Sequence, residues 1–97
     1  MSNRISFKSK VKSEEIEELA VEIYKAEQAL KKVAELSKKS CHTKSVAKIY
    51  NKAQELQRLR YSLEDDLIFT MEKEDKPTDQ ILSWALTENG MKERGLI

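Results

Sequence analysis

A chain of 97 residues, 39% hydrophobic and 36% charged, makes one small domain with a thin core, because folding at this size hides only about 60–65% of the unfolded chain's surface. Two glycines and one proline leave too few turn residues for a multi-stranded sheet and favour long helices. A net charge of +1 and one cysteine exclude a strongly basic or acidic chain and an internal disulfide, and no apolar run nears the roughly 18 residues of a membrane span.

In chain order, residues 1–12, "MSNRISFKSKVK", read as a basic arm, either flexible or paired with another surface. The arm lacks the apolar stretch of a secretory signal, and a cytoplasmic location is expected. A first helix is predicted over 13–39, with Ser13 as its cap and Glu14 and Glu15 near the positive end of its dipole. Its seam runs through Ile16, Leu19, Ile23, Ala26, Leu30 and Val33, and Ser37 takes the next seam position. The stretch "SKKSCHTK", residues 37–44, is the bend. A second helix is predicted over 44–74, capped by Thr43 or Ser45, with its seam at Val46, Ile49, Ala53, Leu56, Arg60, Leu63 and Leu67. Pro77 separates it from a third helix over 78–89, for which Gly90 is the expected C-terminal cap.

Folding the chain back near Cys41 brings the seams into one register: Ile16 opposite Leu67, Leu19 opposite Leu63, Val33 opposite Ile49. The expected fold is therefore all-α, a long antiparallel helical hairpin with a short third helix across its open end, in a single domain. Arg60 is the exception, facing Ile23 across the seam. Its stem is expected to pack while its guanidinium reaches outward to Glu22 or Glu64. The alternative is a polar contact that fixes register or assembly, in which case Arg60→Leu raises thermal stability while scrambling that assembly.

Charge is zoned. Residues 14–27 hold six acids and one lysine, residues 31–60 nine bases and two acids, and residues 64–75 six acids and one lysine. The hairpin sets both acidic zones at its open end and makes the bend and upper stalk basic. Two sources of neutralisation are expected: the arm's Arg4, Lys8, Lys10 and Lys12, or the basic bend of a second copy in an antiparallel homodimer. Interface candidates are Tyr24, Leu36, Leu59, Arg60, Tyr61, Ile68, Phe69 and Trp84. The last three with Tyr61 are core if the third helix covers them and a partner site if it does not.

Catalytic signatures are nearly absent. The only His and the only Cys are adjacent, and no spacing supplies further metal ligands. No cofactor is expected. Lys38, Lys39, Ser40, His42, Thr43, Lys44 and Lys48 form either a polar turn or an anion site for phosphate-bearing ligands, a nucleic-acid backbone or a nucleotide. The reading that follows is a non-enzymatic helical interaction module, dimeric, serving a protein partner as adaptor, inhibitor or regulator. The alternative is a binder of phosphate-containing ligands through the basic bend.

Overall fold

The computed structural model describes residues 5–78 and 85–97. Helix α1 spans Ser13–Ser37, α2 spans Thr43–Lys73 and α3 spans Glu88–Glu93. The long helices pack on each other as the predicted hairpin. The radius of gyration is 15.5 Å, against roughly 13 Å for a compact chain of this length, so the rod dominates the shape. No helix among the described residues is long and apolar enough to cross a membrane.

The open end of the hairpin is closed by side chains. Ser13 is not the cap of α1 but its first, buried residue; Lys12 precedes it in an extended conformation with no side-chain cap. The orphan amide of Ser13 instead donates to the Glu74 carboxylate at 3.0 Å, and the Ser13 hydroxyl donates to the same carboxylate at 2.5 Å. A carboxylate from the far end of the partner helix thus does the work of a local cap. Lys76 completes the cluster, 2.5 Å from Glu14 and 3.2 Å from Glu74.

At the bend α1 stops at Ser37, whose hydroxyl donates back to the Val33 carbonyl. His42, rather than Thr43 or Ser45, is the residue before α2, and it makes no side-chain cap bond. The far end of α2 is a Schellman turn. Lys76 N–H reaches the Met71 carbonyl and Asp75 N–H reaches that of Glu72, which requires the positive φ of 58° that Asp75 adopts.

The third helix differs from expectation. Residues 79–84 of the predicted 78–89 segment, Ile81, Leu82 and Trp84 among them, lie outside the described residues. Ala85–Thr87 form a turn, the Thr87 hydroxyl accepts from the Gly90 amide, and α3 begins at Glu88. Gly90 is consequently inside this helix, and the Schellman glycine is Gly95, with φ 76°. The cause is the peptide of Leu86: Arg60 binds its carbonyl at 2.5 Å and Glu64 takes a hydrogen bond from its backbone. A helix running through residue 86 would need those groups for itself.

The core sits at the open-end half. Ile16, Ala20, Ile23, Leu63, Leu67, Met71, Ala85, Leu86 and Met91 form one buried cluster, with Ile5, Phe7, Val11 and Leu19 packed against it. The arm from residue 5 onward is therefore folded onto its own chain, beside Asp66, Phe69, Thr70, Lys73 and Glu74 of α2. The α2 seam falls where its spacing puts it, but the α1 seam is turned by one residue at alternate layers. Ala20, Glu27 and Ala34 are buried in place of Leu19, Ala26 and Val33. Small residues let the helix axes approach, and Glu27 is drawn in by Arg60.

Candidate functional site

Arg60 does not reach outward to Glu22 or Glu64. It is 1% exposed and grips Glu27, itself 1% exposed, through two bonds of 2.7 and 3.0 Å. Its third partner is the Leu86 carbonyl, and the rings of Tyr24 and Tyr61 flank it at 5.2 and 5.0 Å. A fully satisfied guanidinium of this kind ties α1, α2 and the C-terminal segment together. The Tyr24 hydroxyl donates to Glu88, and Arg94 pairs with Glu17 at 2.6 Å. Beside them Glu64 is pushed up to about 7 by burial and by Asp65, against the Leu86 hydrogen bond and Arg60.

These contacts change the charge account. Glu14 and Glu74 meet Lys76, Glu17 meets Arg94 and Glu27 meets Arg60, all within one chain. Lys76 holds the Glu14 carboxyl below its ordinary range, and the Ser13 hydroxyl does so for Glu74. The acidic end is thus partly answered from its own C-terminal residues, a source the charge pattern alone does not reveal.

Beyond this base the hairpin changes character. Between residues 28 and 59 the buried hydrophobics are Ala34, Val46 and Ala53. The larger ones stay accessible: Val33 is 47% and Leu36 69% exposed, while Leu30, Ile49, Leu56 and Leu59 are half-buried. Leu30, Leu56 and Leu59 line an open groove of about 550 Å³ with Lys52 and Glu55 on its rim. Small seam residues hold the helices together, and the larger side chains are left on the flank.

Of the remaining interface candidates, Tyr24 and Ile68 are half-buried, while Tyr61 and Phe69 are exposed. Lys73 sits 4.5 Å from the Phe69 ring. Trp84 is outside the described residues. Leu36 and Leu59 lie on the outer hairpin, and only Leu59 shares the groove.

At the bend, Lys38, Lys39, Ser40, His42, Thr43, Lys44 and Lys48 are all exposed. Lys38 turns to Glu35 at 3.0 Å, with the Tyr50 ring beside it, and Tyr50 also donates to Glu35. The His42 carbonyl already takes the Ser45 and Val46 amides. The bend residues are therefore a solvated basic surface rather than a built pocket. Cys41 is exposed beside His42, and no His, Cys, Asp or Glu cluster suited to a metal occurs among the described residues.

Two features were not foreseen from the sequence: Glu27 as the partner of Arg60, and the groove itself. The first had a signal, since Glu27 continues the Ile16, Ala20, Ile23 spacing opposite the one charged residue of the α2 seam. Compared with known proteins, the chain matches no family, and no curated protein or solved structure is detectably similar to it.

Proposed function

We propose that the chain is a non-enzymatic helical interaction module, an adaptor, inhibitor or regulator, that offers the outer half of its hairpin to a protein partner. The observation that carries this reading is the open groove lined by the half-buried Leu30, Leu56 and Leu59, on a stalk where Val33 and Leu36 are exposed. The base supports it by fixing the hairpin's geometry, since Arg60, Glu27 and Leu86 leave the stalk as the under-packed part. An accessible apolar strip along two paired helices suits recognition of another helix.

A photo-crosslinking residue at position 56, compared with one at exposed position 54, tests this in cell extract. The expected result is a discrete protein adduct from 56 alone, lost in a Leu30→Asp, Leu59→Asp variant that keeps its helical spectrum. Equal adducts from both positions, or none from 56, would count against it.

The alternative is contact with phosphate-bearing ligands. It draws support from Lys31, Lys32, Lys39, Lys44, Lys48 and Arg58, exposed cations that form no ion pair among the described residues. That reading predicts salt-sensitive retention on heparin, abolished by Lys39→Glu with Lys44→Glu and Lys48→Glu.

A further inference from the structure

The charge beside the groove narrows the class of partner. Lys52 stands on the rim, and Lys44 and Lys48 precede it at four-residue spacing in α2. Three exposed lysines therefore stack on one face of the helix, a cationic rail leading from the bend to the groove. Lys52 pairs with Glu55 at 3.5 Å, both more than half exposed, a contact too weak to neutralise the rail. The opposite wall belongs to α1, where Leu30 lines the groove and Val33 is the next accessible apolar residue toward the bend. The α2 wall thus carries Leu56 and Leu59 with the lysines leading up to them, and the α1 wall adds Leu30.

Resting on the reading of the outer hairpin as the docking surface, we infer that the occupant is an acidic amphipathic helix of another protein. Its leucine-type residues fill the Leu30, Leu56 and Leu59 groove, and its carboxylates run along the Lys44, Lys48 and Lys52 rail. From Lys44 to Leu59 the surface extends about 22 Å, room for a helix of about 15 residues.

The same face disfavours a second copy. Lys52, Leu56, Leu59, Leu63, Asp66 and Thr70 follow one another at alternating spacings of four and three, hence on one side of α2. At Asp66 and Thr70 that side is covered by the arm with its Lys8, Lys10 and Lys12. A second hairpin laid antiparallel in the groove would bring its basic bend onto this basic arm. A short acidic helix ends before reaching it.

The test titrates the full chain with two peptides of about 15 residues, leucines at i, i+3 or i+4 and i+7, one flanked by glutamates and the other by lysines. Amide spectra locate binding, and sedimentation and a single-stranded oligonucleotide run alongside. Expected is binding of the glutamate peptide about tenfold tighter than of the lysine peptide. Shifts should be confined to residues 30–33 and 44–59, with affinity lost on Lys44→Glu, Lys48→Glu and Lys52→Glu in a chain that keeps its melting temperature. Equal binding of both peptides in the groove overturns the acidic occupant and leaves the docking surface standing. Binding of neither overturns both. Self-association through the groove makes the occupant a second copy, and oligonucleotide shifts on the rail without groove shifts make the ligand a phosphate backbone; either result rejects the acidic helix.

Discussion

Arg60 and Glu27 are the residues on which the base depends. Removing one partner of a buried ion pair strands the other charge, typically at a cost of about 3–5 kcal/mol, whereas replacing both with apolar groups is often neutral. Arg60→Leu should therefore lower stability to urea by about that amount, the reverse of the gain expected if Arg60 served only assembly. Arg60→Met with Glu27→Leu should recover most of the loss, although the Leu86 carbonyl then loses its donor. Equal losses in the single and double variants would contradict the pairing. Glu64 sets a second expectation. Its folded value of about 7 lies above its ordinary 4.5, so the folded state holds the proton more tightly and stability falls as pH rises from about 4.5 to 7. Glu14, Glu74 and Glu88 are held below that ordinary value by Lys76, the Ser13 hydroxyl and the Tyr24 hydroxyl. Their contribution is present above it and is lost as pH falls. Stability should thus peak near pH 5, and Glu64→Gln should remove the decline above it, about 1–2 kcal/mol once solvent screening is allowed for. Denaturation midpoints measured from pH 4 to pH 8 check both signs; an unchanged decline in the Glu64→Gln chain would contradict the assignment.

Among the elements, the two long helices were legible because a three-and-four spacing sustained over many turns allows no other structure. Their ends fall within one or two residues of the predicted bounds: Ser37 against 39, and Thr43–Lys73 against 44–74. What the pattern could not convey was which of two adjacent stripes on α1 turns inward. Ile16, Ile23 and Leu30 belong to both. Hydrophobicity favours Leu19, Ala26 and Val33 as the alternate layers, whereas the fold buries Ala20, Glu27 and Ala34. The deciding terms, axis separation and the charge of Arg60, act between helices and leave no mark on α1 by itself. The third helix is present but its start was hidden for a similar reason: Gly90 reads as a cap, yet among the described residues α3 begins at Glu88, after Thr87 and the doubly bound Leu86 peptide. The α2 turn carries its own test. Asp75 occupies the left-handed region at φ 58°, where a side chain costs up to about 1–2 kcal/mol and glycine costs nothing comparable. Asp75→Gly should raise the thermal midpoint modestly, and a fall would show that the Asp75 side chain holds the turn in another way.

At the scale of the whole molecule, the chain divides into a base that is complete and a stalk that is not. The arm covers one side of the hairpin near its open end, and residues 85–97 cover another through Leu86, Glu88 and Arg94. Past Arg60 the fully buried hydrophobics are Ala34, Val46 and Ala53, while Leu56 and Leu59 lean half-buried against the base core. The fold class and the zoning of charge could be read from the residues in order. The groove could not, because it depends on which stripe of α1 turns inward against α2. Native-state hydrogen exchange of the free chain tests the division most directly. Amides of residues 16–23 and 60–71 should exchange only through global unfolding. Those of residues 30–36 and 46–56 should exchange through a smaller local opening of lower free energy. Uniform protection along the full length of both helices would contradict it, since the outer hairpin would then be core and not a surface waiting for a partner.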